Sequence, residues 1–349
     1  IAKFSRHRFK GVTIAITGSS GKTSTKHLLS NTLKKFGKTH HTHKNNNNLI
    51  GLSLTLSRLH NDYDYCVLEL GMNNAGEIQR LTEIALPDIA LITNISNAHI
   101  ENYKSTNDIY KTKKAIFECL ENSGIAFVNL DDKYIKESII SSKKITFSFK
   151  HYAKYVGKID SESIIINNKK ININNELSHL KNIILPVYAI CAELGIEHKE
   201  INESVKCFEL PEGRGKRLFI DQIEIIDDSY NANPASVILA IERLNSINSK
   251  GKKIFILGDM LELGDKSIIE HSKIGDFLNN KHINVVITYG TKSISTYNYI
   301  KNKKIKKYHF DKMSDLKLYL RKNIKKNDTI YLKGSRSMKL EKIYEKGLA

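Results

Sequence analysis

Cysteine is scarce in this sequence, and no apolar segment reaches the length of a membrane span. The 349 residues include four isolated cysteines, with no C-x-x-C pair among them: Cys66, Cys119, Cys191 and Cys207. This spacing argues against a zinc knuckle and a disulfide framework and favours a reducing compartment, the cytoplasm. The longest apolar candidate, residues 183–196, is interrupted by Pro186 and Glu193 and predicts a buried helix. The sequence also shows no signal-peptide pattern.

Positive charge is abundant but not concentrated. The formal net charge is +18, with 55 Lys and Arg against 37 Asp and Glu. Proteins that bind nucleic acid gather such residues into a stripe or patch, whereas the lysines here are scattered among Asn and Ile along the whole chain. A compositional bias explains this charge better than a polynucleotide partner, and we expect no nucleic-acid binding. Small anionic substrates such as ATP are compatible with either explanation.

The most informative stretch is residues 14–24, I-A-I-T-G-S-S-G-K-T-S. A strand pattern runs into a Gly-Ser-Ser-Gly turn, after which Lys22 opens a helical pattern. Glycines let backbone N–H groups approach a polyphosphate, Lys22 supplies a positive charge, and Thr23 offers a hydroxyl to Mg²⁺. The loop is a variant of the general motif, because the first glycine of G-x-x-x-x-G-K-[ST] would fall at Ile16. The expected ATP-binding residues are Gly18, Ser19, Ser20, Gly21, Lys22, Thr23 and Ser24.

Strand and helix patterns alternate along the chain, which predicts an α/β fold with mostly parallel sheets. Strands are expected over 12–17, 65–70, 89–93, 125–130, 223–226, 253–257, 285–289 and 329–332. Helices are expected over 22–36, 76–85, 108–120, 180–194, 199–208, 235–244, 267–278 and 314–320. Residues 147–173 change to short β-rich runs, with a hairpin at 167–170. At this length two domains are the default, and the turn residues of 210–215 mark the linker.

A series of short motifs extends over almost the whole chain. They are residues 17–24, N-N-N-N-L-I-G at 45–51, E-L-G-M-N-N-A-G-E-I at 69–78, P-D-I-A-L-I-T-N at 87–94 leading to Ala98-His99, G-R at 213–214, D-D-S-Y-N-A-N-P at 227–234, G-D-M-L-E-L-G at 258–264 and K-G-S-R-S-M at 333–338. Their order and separations resemble the Mur ligases, the ATP-dependent amide-forming enzymes of peptidoglycan synthesis. The motifs at 227–234 and 333–338 resemble the type that adds D-alanyl-D-alanine to UDP-N-acetylmuramoyl-tripeptide.

The resemblance implies a P-loop ATPase-like central domain over 1–209 and a Rossmann-like C-terminal domain over 210–349. In this family ATP phosphorylates a carboxylate, and an amine then attacks the acyl phosphate to form an amide, ADP and phosphate. Lys22 would hold the β/γ-phosphates, and Thr23 with Glu69 would hold one Mg²⁺. His99 is the implied ligand of a second Mg²⁺, which a carbamylated lysine at Lys113 also approaches. A carbamate is anionic and therefore suits Mg²⁺.

The resemblance also implies roles in binding the nucleotide and the substrates. In the second domain Arg214 would reach phosphate and Asp228 ribose, with Tyr230 and Asn231 lining the same crevice. The implied substrate-binding residues, for the peptidoglycan precursor and for D-alanyl-D-alanine, are Asn45, Asn47, Asn48, Asn73, Asp259, Glu262, Lys333, Ser335 and Arg336. The last three follow a strand and are expected to begin a helix, whose N-terminus suits an anion. Asp259 and Glu262 bind the dipeptide amine or cap a helix after Gly258.

One departure from the family concerns the N-terminus. Three-domain relatives hold the UDP-sugar in a first domain, but only residues 1–11 precede the first strand here, and the chain begins with Ile. Three explanations stay open: a truncated sequence, an acyl substrate held differently, or a separate partner that supplies the domain. Two other functions stay open as well, a related ligase acting on another acid such as a folate or polyglutamate, and a non-catalytic P-loop module.

Overall fold

The computed structural model describes residues 1–96, 103, 105–160, 163–173, 175–345 and 347. The chain divides into two compact units, Ile1–Phe208 and Glu209–Ala349. Each is built on its own β-sheet and is described separately. Among the residues described, no helix combines the length and the apolar character that crossing a membrane requires.

In the described part of the first unit, a nine-stranded sheet has the order β2-β3-β1-β4-β5-β6-β7-β8-β9. Its strands are β1 Val12–Thr17, β2 Thr39–His41, β3 Tyr65–Glu69, β4 Ile89–Ile92, β5 Ile125–Asn129, β6 Lys143–Ser148, β7 Tyr155–Ile159, β8 Ser163–Ile166 and β9 Lys169–Asn172. Its helices are α1 Ala2–Arg8, α2 Lys22–Leu33, α3 Leu49–Ser57, α4 Glu77–Ala85, α5 Thr106–Glu118, α6 Lys181–Glu193 and α7 His198–Lys206. The first seven strands pair in parallel, and β8 and β9 continue the sheet in antiparallel pairs.

The sequence explains why β1 lies at the centre of this sheet. Strands buried on both faces read as continuous apolar or β-branched runs, and five of the six residues in β1 are buried. Parallel pairing sets Ile16 beside Glu69 and Thr17 beside Ile92. The carboxyl ends of β1, β3 and β4 therefore meet at one edge of the sheet, the edge at which ligands bind in open α/β folds.

In the described part of the second unit, a six-stranded sheet has the order β10-β11-β15-β12-β13-β14. Its strands are β10 Lys216–Ile220, β11 Ile223–Asp228, β12 Lys253–Gly258, β13 Val285–Tyr289, β14 Lys306–Phe310 and β15 Thr329–Lys333. Its helices are α8 Pro234–Ser246, α9 Ser267–Leu278, α10 Ile294–Tyr299 and α11 Met313–Asn323. Only β10 runs antiparallel to its neighbour within this described sheet. Apolar side chains form separate cores, one with α8 and α9 and the other with α11.

The predicted α/β class with mostly parallel sheets is confirmed. The predicted hairpin is also present, because Asn167 and Asn168 have φ of 45° and 66° and join β8 to β9. Asparagine tolerates this conformation, which two-residue hairpin turns need. The predicted helix over 22–36 is too long, since α2 ends at Leu33.

Several elements were not predicted, and their sequences explain why. The L-I-G-L-S-L-T-L-S sequence of α3 has no distinct apolar stripe, and the edge strand β14 reads K-K-Y-H-F. The helix expected after β15 is an incorrect prediction, since Arg336–Met338 forms a single 3₁₀ turn. A turn of this length has no helix dipole to offer an anion, so the predicted anion site at a helix N-terminus after β15 is wrong.

Candidate active site

The phosphate-binding loop joins β1 to α2 and depends on two glycines. Gly18 has φ of 147°, and a Cβ on it would lie 1.9 Å from the Thr93 hydroxyl oxygen. Gly21 has φ of 79° and precedes the first residue of α2. Neither conformation suits an L side chain. The predicted loop residues therefore occur together as a turn at a helix N-terminus, with Ser19 and Ser24 buried and Ser20 exposed.

Residues at the end of β4 brace this loop. The Thr93 hydroxyl donates to the carbonyl of Ser20 at 2.6 Å, and the Asn94 amide donates to the same carbonyl at 3.1 Å. The Asn94 side-chain oxygen in turn accepts from the Ser20 N–H at 3.1 Å. The backbone carbonyl of Asn94 accepts from the Ser19 N–H at 2.9 Å. The loop conformation is thus held by a neighbouring strand as well as by its own glycines.

Lys22 and Thr23 begin α2 and point toward different partners. The Lys22 ammonium donates to the Gly18 carbonyl at 2.7 Å, so its charge lies over the loop that would hold phosphate. The Thr23 hydroxyl donates to Glu69 Oε1 at 3.1 Å. Glu69 ends β3 and is buried, with 2% of its surface exposed. A hydroxyl and a carboxylate at one point are the hard oxygen donors that Mg²⁺ prefers, so the predicted pair fits that ion.

Glu69 has further partners that the sequence analysis did not predict. Asn47 Nδ2 donates to Glu69 Oε1 at 3.0 Å. The ammonium of Lys26, which is fully buried, lies 3.5 Å from Glu69 Oε2. Lys26 falls four residues after Lys22 in K-T-S-T-K, a spacing that places both on one side of a helix. That spacing is the only feature of the sequence that indicates a place for Lys26 in this site.

Lys113 is buried in α5, with 1% of its surface exposed. Burial lowers the pKa of its amine well below the usual value, and the charge of Lys22 lowers this pKa further. The neighbouring lysines differ, because Lys111 is exposed and Lys114 forms an ion pair with Glu118 at 2.8 Å. The structure therefore sets Lys113 apart from the other two and brings it within electrostatic reach of the phosphate-binding loop. His99, the predicted ligand of a second Mg²⁺, lies outside the described residues.

The four consecutive asparagines shape a loop before α3. Asn48 caps α3, its side-chain oxygen accepting the Gly51 N–H at 2.9 Å. A Cβ on Gly51 would lie 2.4 Å from the backbone of Asn46, which explains the glycine there. Asn45 is exposed, and Asn47 is the one whose side chain contacts Glu69. Asn48, one of the predicted substrate-binding asparagines of this loop, therefore has a structural role as the N-cap of α3.

The remaining candidate of this unit is Asn73, which is exposed after β3. Its backbone N–H donates to Glu77 Oε2 at 2.7 Å. This bond orders the turn that leads into α4.

In the second unit, Arg214 and Tyr230 are stacked. The guanidinium carbon lies 3.8 Å from the ring centroid, close enough for a cation–π contact. The Gly213 carbonyl accepts from the Tyr230 N–H at 3.0 Å and holds the two chain segments together. Asn231 is exposed, and its side-chain oxygen accepts from the N–H of Ala232 at 2.9 Å. Among the predicted nucleotide-binding residues of this unit, the Arg214 guanidinium is thus held in place by the Tyr230 ring.

Asp228 and Lys333 end neighbouring parallel strands and form an ion pair. Lys333 Nζ lies 2.8 Å from Asp228 Oδ2, and parallel pairing places the two residues side by side. The Tyr331 hydroxyl donates to the same carboxylate oxygen at 3.3 Å. The structure thus brings together a residue predicted to bind ribose and one predicted to bind an anion.

Asp259 follows β12 and organises the loop around it. Its Oδ1 accepts from the backbone N–H groups of Lys292 and Ser293 at 3.1 and 2.8 Å, ahead of α10. Its carbonyl accepts from the Ser335 N–H at 3.0 Å, and the Ser335 hydroxyl accepts from the Leu261 N–H at 2.9 Å. The Asp259 carboxylate therefore accepts from N–H groups just before α10. It does not cap a helix that directly follows Gly258, which was one of its two predicted roles.

The two other candidates lie beside this loop. Glu262 is exposed with φ of 61°. Arg336 pairs with Glu341 at 2.7 Å through a guanidinium that is 59% exposed. Exposed groups of this kind remain accessible to a ligand.

Comparisons with known proteins agree with this geometry. Residues 16–201 match the family model described as the Mur ligase middle domain, and residues 213–336 match the Mur ligase, glutamate ligase domain. A UDP-N-acetylmuramoyl-tripeptide–D-alanyl-D-alanine ligase of Buchnera aphidicola subsp. Baizongia pistaciae is 36% identical over 99% of this chain and 77% of its own length.

Solved structures give the same result. MurF from Acinetobacter baumannii has a TM-score of 0.87 at 25% identity, covering 98% of this chain and 78% of that one. MurF ligase from Thermotoga maritima in complex with ADP has a TM-score of 0.85 at 27% identity, covering 99% and 82%. The phosphate-binding loop lies inside the matched middle domain. The chain belongs to the Mur ligase family.

Proposed function

We propose that this protein is an ATP-dependent ligase of peptidoglycan precursor synthesis that joins D-alanyl-D-alanine to UDP-N-acetylmuramoyl-tripeptide. The observation that carries the proposal is the contact between Thr23 and Glu69, which supplies oxygen donors beside the phosphate-binding loop. Relatives with this printed name match nearly the whole chain. In this proposal the first unit is the ATP-binding domain and the second is the C-terminal Rossmann-like domain.

The reaction would proceed in two steps. A carboxylate oxygen of the acyl substrate attacks the γ-phosphorus of ATP, so that ADP leaves and an acyl phosphate forms. The amine of D-alanyl-D-alanine then attacks the acyl carbon, loses a proton, and displaces phosphate through a tetrahedral intermediate. Phosphoryl transfer of this kind depends mostly on positioning and on neutralising charge. Those are the tasks for which the residues of this site are suited.

Each residue of the loop would have a defined task. Backbone N–H groups of Gly21 and of the first turn of α2 would donate to the phosphate oxygens, and the Lys22 ammonium would move from the Gly18 carbonyl to the β/γ-phosphates. Thr23 and Glu69 would hold Mg²⁺, which neutralises phosphoryl charge and orients the γ-phosphate when bound. In the second unit, Arg214 would face phosphate and Asp228 would accept the ribose hydroxyls. We assign the acceptor dipeptide to Lys333, Ser335 and Arg336.

Lys113 is proposed to carry a carbamate. An amine must be neutral to add carbon dioxide, and burial favours the neutral form because it lowers the pKa of Lys113. The resulting carbamate would be an anion close to Lys22, and with His99 it would hold a second Mg²⁺. The support for this proposal is the burial of Lys113 and its electrostatic interaction with Lys22.

A turnover assay tests the proposed function. The purified chain is given ATP, Mg²⁺, UDP-N-acetylmuramoyl-tripeptide and D-alanyl-D-alanine, and phosphate release and product mass are measured. We expect phosphate release to require D-alanyl-D-alanine, with L-alanyl-L-alanine as the matched control. Turnover with a folate or polyglutamate acceptor in place of these substrates would contradict the proposal, as would nucleotide binding without any turnover. Turnover at low acyl-substrate concentration would contradict the hypothesis that a separate partner holds the UDP-sugar.

A further inference from the structure

Lys26 occupies a position where lysine is rarely found. Its side chain is fully buried beneath the N-terminal turns of α2. A buried ammonium is retained in proteins only where oxygen atoms and an opposite charge surround it. An apolar residue of similar length would fill the same space at a smaller cost in free energy. The presence of the charge therefore calls for an explanation in the groups around it.

Three oxygen atoms around the ammonium belong to two segments that are separate along the chain. Lys26 Nζ donates to the carbonyls of Thr42 and Lys44 at 2.8 and 3.3 Å. It also lies 3.5 Å from Glu69 Oε2, at the end of β3. We call residues 42–48 the asparagine loop, because it leads from β2 through Asn45–Asn48 to α3. One ammonium thus joins α2, β3 and the asparagine loop.

The asparagine loop also reaches Glu69 directly. Asn47 Nδ2 donates to Glu69 Oε1, the same oxygen that accepts from Thr23. The Asn47 carbonyl accepts from the Gly71 N–H at 2.8 Å, and a Cβ on Gly71 would meet the Asn47 side chain at 2.8 Å. The Thr42 hydroxyl accepts from the Glu69 N–H at 3.0 Å. A shift of the Glu69 carboxylate therefore changes contacts with both α2 and the asparagine loop.

We infer that Lys26 is a positioning residue that couples nucleotide binding to the order of the asparagine loop. This inference rests on the proposed function, in which Thr23 and Glu69 hold Mg²⁺ at the nucleotide, and on the sequence prediction that Asn45, Asn47 and Asn48 bind substrate. Binding of MgADP would fix Thr23 and Glu69, and Lys26 would transmit that constraint to the carbonyls of Thr42 and Lys44. The bound nucleotide would thereby order the asparagine loop.

Hydrogen–deuterium exchange of the full chain, with and without saturating MgADP, tests this coupling. In the wild type we expect MgADP to slow exchange both in residues 18–25 and in residues 42–48, the latter by about 10-fold, as coupling free energies between sites commonly allow. Lys26→Met should keep the protection of 18–25 and lose most of that in 42–48. Lys35→Met, which removes an exposed charge just beyond α2, should behave as the wild type.

The outcomes separate this inference from the proposed function. Absence of protection in 18–25 of the wild type would overturn nucleotide binding itself, and the coupling with it. Protection of 18–25 without protection of 42–48 would overturn the coupling alone, as would full loop protection in Lys26→Met. Lys26→Gln, which keeps N–H donors for the two carbonyls, replaces Lys26→Met if that variant does not fold. Failure of both variants to fold would overturn the proposal by making Lys26 a requirement of folding.

Discussion

Thr23 and Glu69 are joined by a hydrogen bond of 3.1 Å although 46 residues separate them. The bond exists because β1 and β3 are parallel neighbours, with Ile16 beside Glu69 in the register. The strand that ends in the phosphate-binding loop and the strand that ends in the carboxylate therefore stop at the same edge. This relationship turns a nucleotide-binding motif into a site with oxygen donors for a metal ion.

Replacing Lys22 tests the phosphate assignment. Lys22→Ala removes the cation that would face the β/γ-phosphates, and we expect turnover to fall by about 100- to 1,000-fold, the usual effect of losing one charge-stabilising group. The thermal unfolding midpoint should change little, since the Lys22 side chain is only partly buried and its hydrogen bond to the Gly18 carbonyl lies within a loop. Steady-state kinetics and calorimetric titration with ADP provide the measurements. Lys35→Ala is the control, and near-normal ligation by Lys22→Ala would contradict the assignment.

Glu69 should matter for both stability and magnesium dependence. Glu69→Gln removes the opposite charge beside the buried Lys26, and breaking a buried pair costs roughly 3–5 kcal/mol. Urea unfolding measures that loss, and the Mg²⁺ concentration needed for half-maximal activity should rise in the same variant. Asp62→Asn breaks an exposed pair with Lys38 and should leave the free energy of unfolding almost unchanged. Equal effects of the two substitutions would exclude a special role for Glu69.

Gly18 should not tolerate a side chain. In Gly18→Ala the added Cβ would lie 1.9 Å from the Thr93 hydroxyl oxygen, so the loop must move and ADP affinity should fall by about 10-fold or more. Gly76→Ala is the matched control, because Gly76 also has positive φ, at 80°, but no atom lies within 4 Å of an added Cβ. Calorimetric titration of both variants separates the two cases. Unchanged ADP affinity in Gly18→Ala would show that the loop does not bind the nucleotide.

Substitutions of the three lysines of α5 should differ sharply in their effect on ligation. Lys113→Ala should strongly reduce ligation, and added short carboxylates should restore part of it, since a small anion can occupy the position of a carbamate. Lys111→Ala and Lys114→Ala should change little, because neighbouring helix positions point about 100° apart and these two side chains reach solvent. Intact-mass spectrometry in bicarbonate measures the carbamate directly. Small, equal effects of all three substitutions would remove Lys113 from the site.

Acid should destabilise the edge of the first sheet through His41. Burial lowers the pKa of this histidine from 6.5 to about 4. The unfolded state therefore binds more protons between these pH values, so the stability that His41 contributes is complete above pH 6.5 and is lost as pH falls toward 4. His41→Gln should make the unfolding midpoint less dependent on pH in this window. His7→Gln, at an exposed position in α1, should not, and identical pH profiles of wild type and His41→Gln would contradict the prediction.

Features that depend on a short, continuous stretch of residues could be predicted from the sequence alone. The phosphate-binding loop is a continuous stretch in which the apolar strand, the glycines and Lys22 follow one another, so the chemistry could be read without knowing the fold. Helix α9 and strand β13 were predicted with their observed bounds, Ser267–Leu278 and Val285–Tyr289. Segments without a clear period, such as α3, were not.

The contacts of the polar residues around that loop depend on the tertiary structure. Lys26 looks like any other lysine in a lysine-rich chain, and Asn47 and Asn48 look alike in a run of four. Sheet order buries Lys26 against Glu69, directs Asn47 to the same carboxylate, and leaves Asn48 to cap α3. Such roles arise from pairing between residues that are distant in the chain, and from the cost of burying a charge or an N–H without a partner. A sequence pattern records neither.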